Sequence, residues 1–167
     1  MIKRAALALL LLSACAPAAA PPKEPEAPVV ETPAVQPAPA SDAEKYKAAP
    51  AGEITVVSPV SGARVTSPLV AEGSAINSWF FEGQFVAELV VDGEVLVQAP
   101  AMQAGDKSWT DPGQVGFKAE LAFDVTKETN AELILSEDMP EFIDEANDIR
   151  GPARSVRIPV VLLPPAK

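Results

Sequence analysis

From residue 53 onward the apolar positions come in short runs, separated by turn residues about every ten positions. Residues 117–125 are the clearest case: Phe117, Ala119, Leu121, Phe123 and Val125 alternate with Lys118, Glu120 and Asp124. In a second run Phe85, Ala87, Leu89 and Val91 share one face, while Glu88 and Asp92 lie on the other. Asp92-Gly93 then precedes an apolar return at 95–98, and such a pair favours the positive φ angles of a two-residue hairpin turn. Further runs at 54–57, 69–75, 131–135 and 156–163 bring the total to about seven strands. Pro159 lacks an amide donor, which places the last strand at a sheet edge or beside a bulge. Helical periodicity is nearly absent, apart from a turn within 140–146 and another within 41–47. The pattern predicts an all-β sandwich or small barrel over residues 53–167, resting on its apolar core.

One stretch, SAINSWFFEGQFVAEL at 74–89, concentrates the bulky apolar residues of a chain that is otherwise poor in aromatics. Strand alternation turns Trp79 and Phe81 one way and Phe80 and Glu82 the other. Phe81 and Phe85 are assigned to the core, with Gly83 marking a bulge or a close backbone approach. Trp109, in a loop that can return to the same region, joins Trp79, Phe80 and Glu82 as candidate partner contacts. Exposed aromatics stack on sugar rings or anchor protein interfaces. Core packing is the alternative for the three aromatics.

Ahead of the sandwich the pattern is different. Lys3 and Arg4 precede an apolar run at 5–12, the length of a secretory signal's core and well short of the ~20 residues that span a bilayer. Leu12-Ser13-Ala14-Cys15 resembles a bacterial lipobox. That resemblance implies a lipoprotein signal peptide at 1–14 and acylation of Cys15 with diacylglycerol and a further fatty acid such as palmitate. The lipid bilayer is then the first partner, since two or more buried acyl chains hold firmly where one binds reversibly. Cys15 is the only cysteine, so no internal disulfide competes for it. The alternative is an ordinary signal peptide with Cys15 incidental. Residue 16 is Ala, which by resemblance to the sorting rule of diderm envelopes favours an outer-membrane location facing the periplasm. Residues 15–52 form a Pro/Ala-rich tether expected to be disordered: half of the 18 prolines lie there, and each removes a donor and fixes φ. Fully extended, it spans roughly 110 Å.

Charge and composition remove several function classes. The chain has no histidine, which excludes Ser-His-Asp and Cys-His nucleophilic sites and imidazole metal centres. No glycine-rich phosphate loop occurs. From residue 53 onward eight Lys or Arg face eighteen Asp or Glu, so phosphate backbones are repelled and nucleic acid is not an expected partner. Paired carboxylates are the remaining catalytic route; Glu82, Asp106 and Asp111 lie near aromatics, and a carboxylate-dependent glycan hydrolase uses two such groups. The stretch 136–151 carries Glu137, Asp138, Glu141, Asp144, Glu145 and Asp148. It reads as a solvated acidic loop, with a weak calcium site on Glu137, Asp138, Glu141, Asp144 and Asp148 as the alternative; its spacing does not match a twelve-residue calcium loop. No cofactor is expected.

Several segments together resemble the immunoglobulin-like domain of bacterial spore germination. They are Ile54-Thr-Val with Ser58-Pro59 and Gly62, Val65-Thr-Ser67-Pro68-Leu69, Gly73 and Ala75, Trp79-Phe-Phe-Glu82-Gly83, Ala99-Pro100-Ala101, Trp109, the Phe117 strand and Ile158-Pro159-Val160. The Phe-Glu-Gly element is the distinctive one. The resemblance spans nearly all of 53–163 and departs at 137–155, which is longer and more acidic than the family's loop. It implies an immunoglobulin-like β-sandwich in the cell envelope that is not an enzyme, binding or scaffolding an envelope protein or peptidoglycan. A structural spacer without a specific ligand is the alternative.

Overall fold

A computed structural model describes residues 45–165. The signal-peptide and Cys15 assignments, and most of the tether, fall outside the described residues. Among the described residues there are eleven strands: β1 (Tyr46–Ala48), β2 (Ile54–Ser58), β3 (Ala63–Val65), β4 (Leu69–Ile76), β5 (Gln84–Val91), β6 (Glu94–Ala104), β7 (Gln114–Leu121), β8 (Thr129–Ser136), β9 (Phe142–Asp144), β10 (Ile149–Arg150) and β11 (Ala153–Leu162). Nine of them form one sheet in the order β1-β11-β8-β5-β6-β7-β4-β2, with β3 also on β11; β9 and β10 pair separately. This is the immunoglobulin-like all-β sandwich that the apolar pattern and the resemblance predict.

The long strand β6 makes the sandwich possible. Its residues from Glu94 to Met102 pair with β5, and Met102, Gln103 and Ala104 pair with β7. The sheet therefore curls around β6, and the inward faces of β5, β8 and β11 close on those of β4 and β7. Inward residues alternate as the period-two pattern requires: Phe117, Ala119 and Leu121 from β7, Phe85, Ala87 and Leu89 from β5, Leu133 and Leu135 from β8, Val160 and Leu162 from β11. Each large side chain so buried contributes roughly 1.5–3 kcal/mol, which is how the fold manages without a disulfide.

The hairpin at Asp92-Gly93 forms as expected. Both residues have positive φ, 51° and 84°, and Val91 faces Glu94 across the turn. Pro159 lies in a gap on one flank of β11: β1 pairs at 153–155 and β3 at 160–162, leaving the proline without a strand partner on that side. Its carbonyl still accepts from the Gly62 amide at 2.7 Å. β7 ends at Leu121, short of the predicted 125. Phe123 and Val125 nonetheless pack half-buried against the core, and the Phe123 amide is taken up by the Ser67 hydroxyl at 2.9 Å.

One boundary differs from the sequence reading. Tyr46–Ala48, placed in the tether, joins the sheet as β1 beside β11. The stretch 45–49 contains no proline, so its amides are free to pair, and Tyr46 supplies an aromatic to bury.

Candidate partner-binding surface

The aromatic run does not continue as a strand. After β4 the chain makes a 3-10 turn at Asn77–Trp79, so successive side chains advance by about 120° rather than 180°. That rotation sends both Trp79 and Phe80 inward, at 0% and 5% exposure, and leaves Phe81 outside at 41%. The sequence expectation is corrected on both counts: Trp79 and Phe80 belong to the core, Phe81 does not. Trp79 and Phe80 each meet Phe85 edge-on, at 5.6 and 5.1 Å, and Phe85 in turn meets Phe117 at 5.0 Å. The Trp79 indole N–H is satisfied by the Glu53 carboxylate at 3.2 Å. No contiguous exposed patch of Trp79, Phe80 and Trp109 exists.

Glu82-Gly83 is a two-residue turn with φ of 51° and 81°, closed by reciprocal backbone bonds between Phe81 and Gln84. The close approach expected at Gly83 is made by Trp109, whose ring edge would lie 3.3 Å from a Cβ placed there. Trp109 is half-buried against the core, and its backbone N–H donates to the Gln103 side chain at 2.8 Å. Of the four candidate contacts only Glu82 is exposed. It lies near Asp138, whose carboxyl is held above its ordinary range, first by burial and then by the charge of Glu82.

The acidic candidates lie in different settings. Asp111 accepts from the Ser108 amide at 2.8 Å, closing the local turn that presents Trp109, and Asp106 is exposed. Among the described residues no group of three or more potential metal ligands is assembled. The carboxylates of 137–148 are placed in several different settings. Glu137 is buried, receiving the Arg154 amide at 2.7 Å and its guanidinium Nε at 2.7 Å. Asp138 is half-buried, and its amide donates to the Trp79 carbonyl at 3.2 Å. Asp144 caps a 3-10 turn at Glu145–Asn147 through the Asn147 amide at 3.3 Å and side chain at 2.7 Å. Glu141 and Asp148 stay exposed at separate ends of the hairpin.

Two charged networks were not legible as sites. Arg154 joins Glu137 to Glu53 at 2.8 Å, tying the start of β11 to the residue before β2. Its guanidinium is held above its ordinary range, mainly by the hydrogen bond it donates to Glu137. On the outer face of β5, Glu88 is buried beneath Tyr46, whose hydroxyl donates to it at 2.5 Å, and Lys45 adds contacts at 3.1 and 3.3 Å. Burial, reinforced by the bond to Glu88, raises the Tyr46 phenol. Tyr46, Ile134 and Ala153 form a second small core there. Both networks join residues more than forty positions apart or nested among many similar acids, so only chain topology reveals them.

Four of the ten large exposed apolar side chains among the described residues lie on the 137–151 excursion. It folds into the β9–β10 hairpin, outside the main sheet, and presents Met139 at 41%, Phe142 at 41%, Ile143 at 71% and Ile149 at 48% exposure. Internal bonds hold it in shape: Gly151 N–H donates to the Glu141 carbonyl at 2.9 Å, and Arg150 donates to the Pro140 carbonyl at 2.7 Å while lying 3.8 Å from the centre of the Phe142 ring. At its base a shallow groove of about 420 Å³ runs between Tyr46, Glu88, Gln98, Asp138 and Pro140. The sequence marked this segment by its length and acidity; the interspersed apolar residues were the overlooked signal.

Comparison with known proteins agrees with the geometry. No curated protein matches the chain. The family model described as the immunoglobulin-like domain of bacterial spore germination matches residues 53–141, from the residue before β2 to the threshold of the β9–β10 hairpin. That span is more than half of the 167 residues, and it contains the Phe81-Glu82-Gly83 turn and every strand from β2 to β8. The chain belongs to the family of immunoglobulin-like domains of bacterial spore germination.

Proposed function

We propose that this protein is an envelope lipoprotein, anchored through acylated Cys15, whose immunoglobulin-like module binds a protein or cell-wall partner without catalysing a reaction. Immunoglobulin-like domains typically serve as non-catalytic binding or structural modules, and membership of this family supports the general class. The lipobox-like Leu12-Ser13-Ala14-Cys15 and the proline-rich stretch behind it support the anchor and the tether. The observation that carries the binding role is the exposed apolar group on the β9–β10 hairpin. A hairpin that presents Ile143 and Ile149 to water, when the same chain buries its core so completely, has the makings of an interface rather than a spacer.

Two measurements test this. Replacing Cys15→Ser is expected to move the protein from the membrane to the soluble fraction; retention in the membrane refutes the anchor. The folded full chain, immobilised beside a heat-unfolded control, is expected to retain a component of the envelope or the peptidoglycan that the control does not. Equal recovery by both refutes the binding role.

A further inference from the structure

We infer that the β9–β10 hairpin docks against a protein surface on which lysine or arginine side chains surround an apolar cleft. The inference rests on the binding role just proposed and adds the place of contact and the chemistry of the partner.

The hairpin has the anatomy of an insertion element. Isolated two-stranded hairpins are marginal in water. This one is fixed at its neck by the Gly151–Glu141 and Arg150–Pro140 bonds and at its tip by the Asp144 cap. Its shape is therefore set before binding, which lowers the cost of ordering an interface. Short exposed strands ordinarily carry charge where a neighbour would touch them. Here Ile143 and Ile149 are exposed instead, each a branched anchor of the size that fills a cleft.

Charge then selects among the occupants. Between residues 139 and 151 the hairpin carries Glu141, Asp144, Glu145 and Asp148 against one base, Arg150. That guanidinium is already engaged by the Phe142 ring and the Pro140 carbonyl. A second copy of this chain would bring a second acidic hairpin and a net charge of −10, so like charges would meet across the contact. Anionic lipid head groups are disfavoured by the same repulsion. A glycan stacks on a flat aromatic face, and Arg150 lies over one face of Phe142, the one aromatic ring of the hairpin. A basic protein surface with an apolar cleft is the occupant that complements both features.

The test uses the full chain in a neutral detergent and two fluorescent peptides with the same Leu/Phe core, one flanked by Lys and Arg, the other by Glu. The basic peptide is expected to bind about tenfold tighter or more, with affinity falling as salt rises. Ile143→Asp is expected to weaken it about tenfold, the scale of one interface anchor. Glu141→Lys with Glu145→Lys is expected to reverse the preference between the two peptides. Circular dichroism should be unchanged in every variant, because all three positions are exposed. Equal binding of the two peptides, or undiminished binding by Ile143→Asp, overturns the inference. In cells, a photo-crosslinking residue at Ile143 is expected to capture a protein with a basic face, and one at Val57, exposed on β2, is not. Adducts to a second copy, to lipid or to glycan overturn it. If the envelope component retained by the wild-type chain is retained equally by Ile143→Asp, the hairpin is wrong and the binding role stands; if no form of the chain retains anything, the binding role itself has failed.

Discussion

The hydroxyl of Tyr46 donates to the carboxylate of Glu88 at 2.5 Å, joining the residue where the described chain enters the fold to the outer face of a central strand. Glu88 is 4% exposed, and a carboxylate so placed is costly unless its lone pairs are filled. β1 is thus more than an added edge strand, since it brings the donor that makes the buried acid tolerable.

Tyr46→Phe removes that donor and keeps the ring. Lys45 remains as a partner but lies largely in solvent, so its charge is screened. The substitution is expected to cost about 1–3 kcal/mol in denaturant unfolding, and Glu88→Gln in the same background to recover part of the loss. Full stability in Tyr46→Phe would show that β1 does not contribute through Glu88.

Arg154 is the other point where burial and charge meet. Arg154→Met leaves the Glu137 side chain, 1% exposed, without its cation, and is expected to cost about 3–5 kcal/mol. Converting Glu137→Leu as well should restore part of the stability, because the orphaned charge is gone. A double-mutant cycle by chemical denaturation checks both statements, and a loss under 1 kcal/mol for Arg154→Met contradicts them.

How much of this was readable beforehand follows from the range of each interaction. Alternation at 117–121, the Asp92-Gly93 turn and the core role of Phe85 are local properties and stand in the structure as the sequence implies. The direction of Phe81 was missed because a 3-10 turn at Asn77–Trp79 breaks the alternation, and its residues carry no turn signal strong enough to override three consecutive aromatics. Tyr46 was hidden by proline-rich surroundings. The Glu137–Arg154 pair was masked by an acidic stretch in which every carboxylate looks alike until β8 and β11 are placed side by side.

The division of the aromatic run is directly measurable. Phe80→Ala and Phe85→Ala are each expected to cost about 3–5 kcal/mol, since each leaves a cavity in the cluster where Trp79, Phe80 and Phe117 meet Phe85. Phe81→Ser, at an exposed position, should stay within about 1 kcal/mol of wild type. Comparable losses at 80 and 81 in thermal unfolding would mean that the chain alternates there after all.

Gly73 tests the seam between β2 and β4. A Cβ at this position would lie 2.0 Å from the Thr55 carbonyl oxygen and 2.9 Å from the Phe117 ring, and the backbone oxygen cannot withdraw without breaking the pairing. Gly73→Ala is expected to destabilise the domain by more than about 3 kcal/mol or prevent it from folding. By contrast Gly62→Asn, at a positive φ with open space around it, should cost less than about 1 kcal/mol. Similar expression and melting of the two variants would place Gly73 away from the β2 backbone.

Asp138 links stability to pH through the surface beside the hairpin. Burial first, and then the charge of Glu82, hold its carboxyl above the ordinary range. The folded state therefore prefers the protonated form: the contribution is favourable below the unfolded-state value and is lost as pH rises through the folded-state value. At neutral pH the ionised group is a small burden, since it is only partly buried and solvent screens it. Asp138→Asn removes that burden and is expected to raise the melting temperature at pH 7 by about a degree or two, with the gain shrinking as the pH falls below the carboxylate range. Glu82→Gln should give a smaller rise with the same pH dependence, because it removes only the repulsive neighbour. A gain that persists unchanged at low pH would show that the asparagine acts through packing and not through the titration of Asp138.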